Sequence, residues 1–205
     1  MSKFRPMSRV LNLCLAAALV ASPSIASAQQ RSQSYEFLEA VRKGDGDKVT
    51  NFLNQPGQLL INSKDRTTGD AALHIVASRS DSVYLRFLLS KGADPNIQDA
   101  DGNTPAMLAV EKGFTDGLDT LIRYKANLNL ANSRGETPLI RAVQLRRIDL
   151  VRTLIEGGAN PDQADVMAGM SARDYARRDT RTPALLKLMD EAPKAKKPVV
   201  AGPRL

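Results

Sequence analysis

The chain contains a single histidine, His74, in the stretch TGDAALHIVA. A histidine works as a general base or a metal ligand only when a nucleophile, an orienting acid or further ligands lie within reach. The one cysteine, Cys14, sits in an apolar run near the start of the chain. Protein zinc sites need three or four such ligands. We therefore expect no catalytic residue and no metal ligand, and we interpret His74 as part of the scaffold.

Two short acidic stretches have residue types that bind calcium or phosphate elsewhere. DADGN, residues 99–103, could open a calcium loop, but placing Gly102 at the sixth loop position puts Ile97 first and Leu108 twelfth, where oxygen ligands are required. GDGD, residues 44–47, is short, and no glycine-rich phosphate-binding motif occurs in the chain. Both stretches are better explained as turns, so we expect no cofactor.

Residues 1–28 have the three parts of a secretory signal peptide: a basic start, an apolar run and small residues ending at Ala28. The apolar run is about half as long as a membrane-spanning helix requires. Leu13 precedes Cys14 where a lipid-attachment motif needs a small residue. We expect cleavage after Ala28, which leaves a cysteine-free exported protein with no integral membrane span. The periplasm is the expected compartment, and full secretion is the alternative.

The net charge of +7, from 29 basic and 22 acidic residues, arises at the two ends of the chain. The signal region holds three basic residues and the stretch 191–205 holds four, so the body between them is balanced. A nucleic-acid partner requires a concentrated basic face, and we do not expect one. Residues 191–205 are rich in lysine and proline and predict a disordered tail. One alternative hypothesis is that this tail associates with the cell envelope; another is that the protein is a secreted effector.

The body of the chain repeats every 33 residues. A glycine begins each of three similar stretches, GDAALHIVA at Gly69, GNTPAMLAV at Gly102 and GETPLIRAV at Gly135. A second marker keeps the same spacing, with GADPN, KANLN and GANPD starting at positions 92, 125 and 158. Apolar positions follow it as well: Leu85, Leu118 and Val151 occupy one column of the alignment. A fixed period of this length is typical of a solenoid.

These stretches resemble the ankyrin repeat, whose pattern runs D-x-x-G-x-T-P-L-H-x-A and then G-A-D-x-N. The resemblance implies an all-α solenoid of about five helix–turn–helix units joined by hairpin-like turns. It also implies that His74, at the fourth position of T-P-L-H, bonds to turn and backbone groups. After a polar lead-in at 29–33, the expected repeat domain covers 34–190, in units of about 34–64, 65–98, 99–131, 132–164 and 165–190.

Several local features of the repeats lead to specific expectations. A threonine–proline pair predicts a capped first helix in the third and fourth units, whereas Ala71 in the second unit has no capping side chain. KDRTTGD is expected to be one or two residues longer than the other turns. Arg146 stands near an inter-helix turn where glycine is favoured, so a left-handed conformation there would cost ~1–2 kcal/mol. Gly117 is expected to weaken its helix by ~1 kcal/mol relative to alanine. RDYARRDTR, residues 173–181, predicts a solvated helix face with local ion pairs and is a candidate docking site for an acidic partner.

Ankyrin-like folds hold protein partners on a concave face made by turn tips and first helices. The resemblance thus implies a non-enzymatic binding module, which we expect to be monomeric. Among its candidate residues, Tyr124 and Leu145 are the expected energetic hot spots, because aromatic and apolar anchors usually dominate interfaces. The candidate partner-binding residues are Thr68, Asp70, Ser78, Arg79, Lys91, Asp101, Asn103, Glu111, Lys112, Tyr124, Arg134, Glu136, Gln144 and Leu145.

Overall fold

The computed structural model describes the backbone of residues 23–55 and 60–192, with side chains from residue 33 onward in those ranges. Residues 1–22 and 193–205, which contain most of the expected signal peptide and tail, lie outside the described residues. The described part folds into five helix pairs, one per unit. The helices are α1 (Pro23–Lys43), α2 (Gly46–Leu53), α3 (Ala72–Ser78), α4 (Ser82–Ser90), α5 (Pro105–Lys112), α6 (Thr115–Arg123), α7 (Pro138–Gln144), α8 (Ile148–Glu156), α9 (Ala172–Arg178) and α10 (Pro183–Glu191), with a 3-10 turn at Leu60–Asn62.

The helix pairs stack into two layers. The first helices of the pairs pack in the order α1, α3, α5, α7 and α9, and we call them the first-helix layer. The second helices α4, α6, α8 and α10 pack in the same order and form the second-helix layer. One apolar core runs between the layers, and the column of Leu85, Leu118 and Val151 is fully buried in it. Since no single pair can cover its own apolar stripe, stability depends on stacking. The expected all-α solenoid is confirmed.

None of the helices within the described ranges is long and apolar enough to cross a membrane. The point at which we expect signal cleavage, after Ala28, falls inside α1.

The first helices of the third and fourth units begin as their sequences predict. The hydroxyl of Thr104 accepts a hydrogen bond from the Met107 N–H at 3.3 Å, and Thr137 accepts one from Ile140 at 3.3 Å. A proline follows each threonine at the first helical position, where a missing N–H has no cost. Gly113 ends α5 in the left-handed conformation, with φ +68°. Capping and helix termination are thus local properties of the repeat.

Units two to five each open with a turn whose first residue donates its backbone N–H to the carbonyl of the last residue. We call these turns by unit number: turn 2 is residues 65–70, turn 3 is 99–103, turn 4 is 132–136 and turn 5 is 165–170. Turns 2 and 5 contain one residue more than turns 3 and 4, so the extra residue expected in KDRTTGD is confirmed. The first residue of every turn is Asp or Asn, and its side chain accepts backbone N–H bonds from within the turn. These side chains hold the turns in shape.

Successive turns are joined by a ladder of backbone hydrogen bonds. The Ala100 N–H donates to the Thr68 carbonyl at 3.0 Å, and the Ser133 N–H donates to the Asp101 carbonyl at 2.8 Å. The ladder continues at turn 5, where the Val166 N–H donates to the Arg134 carbonyl at 3.2 Å. This turn ladder fixes the spacing of the turn tips along the solenoid.

Two departures from the repeat pattern have different outcomes. Arg146 lies at φ +55°, so this non-glycine residue does adopt the left-handed conformation. The expectation for Gly117 is incomplete, because helix propensity is not what decides this position. A Cβ atom at residue 117 would lie 2.1 Å from the Phe114 ring, which is packed over the glycine. Gly117 therefore makes room for a largely buried aromatic side chain, and alanine would cause a clash rather than strengthen α6.

The turn ladder predicts that two matched glycine substitutions have unequal costs. Gly69 and Gly169 occupy the same place in turns 2 and 5, with φ of +73° and +64°. A Cβ at Gly69 would lie 2.3 Å from the backbone nitrogen of Ala100, whereas a Cβ at Gly169 would meet no atom within 4 Å. Gly169→Ala should therefore cost only the left-handed strain, ~1–2 kcal/mol. Gly69→Ala should add an overpacking cost of ~1–3 kcal/mol. Urea unfolding of both variants measures the difference, and equal losses would contradict the proposed close approach of the turns.

Candidate functional site

His74 is fully buried and forms part of the scaffold. Its Nδ1 accepts a hydrogen bond from the Ala71 N–H at 3.0 Å, and its Nε2–H donates to the Asn103 carbonyl at 2.9 Å in the next turn. Burial is the main cause that lowers its pKa, and the bond to Asn103 opposes this only in part. Both ring nitrogens are thus used to connect α3 to turn 3, and the predicted scaffold role is confirmed.

The fifth unit performs part of the same task with a carboxylate. Asp174 stands three residues after Ser171, as His74 does after Ala71, and its side chain accepts the Ser171 N–H at 3.1 Å. The Ser171 hydroxyl also donates to it at 2.6 Å, and these bonds lower the pKa of Asp174. Within residues 33–55 and 60–192, no group of three or more His, Cys, Asp or Glu is arranged to hold a metal ion.

A polar network joins the tips of turns 3 and 4. The Asn132 amide nitrogen donates to the Asn103 side-chain oxygen at 3.2 Å and to Glu136 at 3.3 Å. Arg134 makes an ion pair of 2.7 Å with Glu136, and Gln144 on α7 donates to the same carboxylate at 3.3 Å. Burial would raise the pKa of Glu136, but the bonds from Arg134, Asn132 and Gln144 outweigh it and lower that pKa. This network makes the turn tips and α7 one pre-organised polar surface.

Other candidate residues pair across neighbouring elements of the same surface. Thr68 donates to Asp70 at 2.8 Å within turn 2, and Glu111 on α5 accepts from Arg141 on α7 at 3.1 Å. Arg79 donates to the Val41 carbonyl of α1 at 2.7 Å. Because these groups lie on turn tips and first helices, we call the whole surface the turn–first-helix face. Its members from the candidate set are Thr68, Asp70, Ser78, Arg79, Asp101, Asn103, Glu111, Lys112, Arg134, Glu136, Gln144 and Leu145.

Two candidates are placed elsewhere. Lys91 and Tyr124 end α4 and α6 in the second-helix layer, and the Lys91 ammonium lies 5.8 Å from the ring centre of Phe87 on its own helix. Tyr124 and Leu145, the two expected hot spots, follow the last residues of helices in different layers. With a rise of about 1.5 Å per residue, a nine-residue helix separates the turn edge from the opposite edge by roughly 13 Å. The structure therefore does not bring these two residues together.

The interpretation of RDYARRDTR as a solvated face is wrong for its first residue. Arg173 is buried, with 5% of its surface exposed, because the backbone of α10 covers it. Its Nε pairs with Asp162 at 2.7 Å, and its Nη1 donates to the carbonyl of Met189. Arg177 does form the expected local ion pair, with Asp174 at 3.3 Å. Arg173 thus joins the last helix pair to the preceding loop, a role that periodicity alone does not reveal.

A family model described as ankyrin repeats in three copies matches residues 37–132 and, in a second placement, residues 73–165. The chain belongs to the ankyrin-repeat family. Such repeats are generally protein–protein interaction modules, and the family is typically non-enzymatic.

Curated relatives match over parts of the repeat domain. An ankyrin-repeat protein of Rickettsia felis is 37% identical over 76 residues, 33% of this chain and 34% of that protein. The nuclear factor NF-kappa-B p110 subunit of Drosophila melanogaster is 35% identical over 65 residues, 32% of this chain and 6% of that protein. Human neurogenic locus notch homolog protein 1 is 41% identical over 78 residues, 38% of this chain and 3% of that protein. The chain thus spans about a third or less of the length of these relatives.

The ankyrin fold also exposes two apolar residues that the sequence analysis did not select. Val166 and Met167, at the tip of turn 5, have 73% and 77% of their surface exposed. They lie outside the three stretches that align best, because turn 5 carries an extra residue and shifts the fifth repeat by one position. A comparison of turns 2 and 5 in the sequence reveals the apolar pair, because valine and methionine stand where turn 2 has Arg66 and Thr67.

The bonds of His74 predict a pH-dependent stability. Because burial lowers the pKa of the folded-state imidazole, the unfolded chain takes up a proton first as the pH falls below about 6.5. Stability from His74 should therefore be complete above that pH and decline toward pH 5. His74→Met places a methionine at this position, as Met107 does at the equivalent position of the next repeat. This variant should unfold ~1–3 kcal/mol more easily at pH 7.5, because the Ala71 N–H loses its partner.

Urea unfolding at pH 7.5, 6.0 and 5.0 tests this prediction. The loss of stability between pH 7.5 and 5.0 should be present in the native chain and absent in His74→Met. The chain contains no other histidine, so an equal decline in both proteins would show that the pH dependence has another source.

Proposed function

We propose that this chain is an exported, monomeric adaptor that binds a protein partner through its turn–first-helix face. The observation that carries the proposal is the turn ladder, which sets the turn tips of four successive units at a fixed spacing. Between the turn tips and α7 the polar side chains already have defined partners, as Glu136 does with Arg134, Asn132 and Gln144. A surface ordered before binding loses less conformational entropy in the complex.

The geometry of the face also fits a protein better than a small molecule. A stable protein interface buries about 800 Å² on each partner, and the face offers turn tips and helix surface from four units without a gap. Small-molecule sites are concave and mostly apolar. By contrast, the exposed side chains on this face are largely charged or polar, including Asp101, Glu111 and Lys112. A mixed polar surface of this kind is typical of non-obligate protein interfaces.

The carboxylates of the turns support a non-enzymatic role. Asp65, Asp99 and Asp165 each accept backbone N–H bonds inside their own turns. The hydrogen bond from Arg42 lowers the pKa of Asp65. For Asp165, burial would raise the pKa, but bonds from Tyr175 and Ala168 lower it overall. Carboxylates whose oxygens are occupied by hydrogen bonds of the scaffold are poorly suited to accept or donate protons in a reaction.

The partner-binding proposal predicts different effects for substitutions in the two layers. Asp101→Lys and Leu145→Ser alter exposed side chains of the turn–first-helix face. Val83→Ser and Asp119→Lys are matched controls on the exposed surface of α4 and α6. Tagged proteins are recovered from the native organism under gentle conditions, and bound proteins are quantified by mass spectrometry. We expect the face variants to lose at least 90% of a specific partner and the controls to retain it, with unchanged circular dichroism and melting temperature.

Two results would contradict binding through this face. One is loss of the partner in Val83→Ser or Asp119→Lys with retention in the face variants. The other is recovery of the chain without any specific partner, with and without a crosslinker. A chain ending at Ala192 tests the alternative of envelope association through the basic tail. Partner binding should survive this truncation, whereas a role for the tail requires that envelope association be lost.

Export predicts a defined N-terminus for the mature protein. Cleavage after Ala28 would remove the first six residues of α1 and leave Gln29 at the start of the chain. Ala28→Arg places a large charged side chain where signal cleavage needs a small one, so it should block processing. Intact-mass spectrometry of protein from the periplasm and the growth medium measures the result. A full-length chain found only inside the cell would contradict export.

A further inference from the structure

The tips of turns 4 and 5 form an exposed patch that combines apolar and cationic side chains. The Val166 N–H donates to the Arg134 carbonyl at 3.2 Å, so these two residues are adjacent along the turn ladder. Val166 and Met167 are 73% and 77% exposed, and the Arg134 side chain is 54% exposed. Val83 on α4 is comparably exposed, at 75%. We call Arg134, Val166, Met167 and Arg178 the terminal patch.

The turn structure does not require apolar residues at these two positions. In turn 2, which has the same length and closing bond, the equivalent residues are the exposed Arg66 and Thr67. Valine and methionine in their place leave two neighbouring apolar side chains exposed to water. This exposure does not stabilise the fold. Methionine is flexible and polarisable, and it adapts well to the surface of a partner. The pair therefore has the character of a binding anchor.

Arg134 is held in position for contact. Its Nε and Nη2 both bond to Oε2 of Glu136, at 2.8 and 2.7 Å, and the Glu136 side chain is only 12% exposed. Asn132 and Gln144 donate to the same carboxylate from the other sides. The guanidinium is thus fixed on a buried anchor while half of its surface faces solvent. Arginine held in this way commonly contributes strongly to interfaces.

Arg178 adds a positive charge beside turn 5. Its Nη1 lies 3.0 Å from the sulfur of Met170, the last residue of that turn, so its side chain reaches back along α9 toward the patch. Sulfur is a weak acceptor and leaves the charge uncompensated. Arg178 is exposed and makes no ion pair with the described carboxylates; Asp165 bonds to Tyr175, and Asp174 pairs with Arg177. It therefore adds an unpaired guanidinium beside the apolar pair, whereas the Arg134 guanidinium is already paired with Glu136.

We infer that the terminal patch binds a protein segment that carries a carboxylate next to a large apolar side chain. This inference rests on the proposed partner-binding function and states which units contact the partner and what chemistry they recognise. The carboxylate pairs with Arg134 and Arg178, and the apolar side chain packs on Val166 and Met167. The tip of turn 3, with Asp99 and Asp101 and no basic residue, disfavours such a segment nearer the other end of the face.

The probe for this inference is an eight-residue peptide of alternating glutamate and leucine. It is titrated into the isotope-labelled protein, and amide NMR shifts and dissociation constants are measured at low and physiological salt. We expect the largest shifts at Val166, Met167 and Arg134, with weaker binding at higher salt. A lysine–leucine peptide should not bind, and a glutamate–serine peptide should bind at least fivefold more weakly.

Matched variants separate direct contact from loss of structure. Arg134→Gln and Met167→Ser should each weaken binding of the glutamate–leucine peptide at least fivefold. Arg66→Gln, which removes an exposed cation from turn 2, should leave the dissociation constant unchanged. Glu136→Gln breaks the ion pair but keeps the Arg134 cation, so this variant should still bind. Unchanged spectra of each free variant outside its own turn show that the fold is intact.

Three outcomes would overturn the inference: equal affinity in Arg134→Gln, equal binding of the lysine–leucine peptide, or shifts confined to turns 2 and 3. Absence of binding by every peptide would overturn it too. The proposed function is judged separately by recovery of a native partner. A partner that is lost in Asp101→Lys but retained in both Met167→Ser and Arg134→Gln would support partner binding and reject the terminal patch.

Discussion

The close approach of consecutive turns is the constraint on which the rest of this structure depends. Turns 3, 4 and 5 each donate one backbone N–H to the turn before, and Gly69, Gly102 and Gly135 leave only enough room for backbone between the turns. A side chain at any of the three would contact the next turn at 3.0 Å or less. The spacing of the turns then sets the spacing of the first helices, because each first helix begins within a few residues of its turn. The 33-residue period of the sequence therefore reflects the close approach of consecutive turns.

Different side chains connect one unit to the next, and they stand at different positions of the repeat. His74 bonds to Asn103 in the following turn, whereas Asn132 reaches back to Asn103 from turn 4. In the last unit there is no following unit among the described residues, and Asp174 bonds within its own unit, to Ser171 and Arg177. The connecting side chains can vary in this way because the turn ladder already fixes how neighbouring units stack. The side chains need only satisfy the polar groups that stacking buries.

Features set by a position in the repeat could be predicted from the sequence. Side-chain contacts that occur in only one repeat could not. The helix caps at Thr104 and Thr137 and the role of His74 follow from column position, so the pattern alone was sufficient. The packing of Phe114 over Gly117 depends on one aromatic side chain that has no equivalent in the next repeat. The burial of Arg173 depends on α10, which covers its side chain. This helix lies beyond residues 173–181, the stretch whose charge pattern predicted a solvated face. Helix periodicity describes which face of an element is apolar, but it does not show what lies over a charged residue.

Placing the functional surface was harder for the same reason. Lys91 and Tyr124 are candidates as second-helix ends, and the fold places them there, in the second-helix layer rather than on the turn–first-helix face. Val166 and Met167 were missed because turn 5 has an extra residue and the alignment shifts there. Many polar residues that are obvious binding candidates in the sequence are already engaged in hydrogen bonds and ion pairs of the scaffold. Glu136 and Asp65 are engaged by arginines, and Asn103 by its neighbours in turns 3 and 4.

Side chains that the scaffold does not use are the better guide to recognition. An ion pair on a surface contributes little to stability, so the bonds that hold Arg134 to Glu136 matter mainly because they fix the direction of the guanidinium. An exposed Met167 contributes nothing to the core and has no role in closing its turn. When an ordered cation and an unused apolar pair meet at one tip, folding does not account for their chemistry. A partner that supplies a carboxylate and an apolar side chain would satisfy both, and this separates the terminal patch from the polar surface around it.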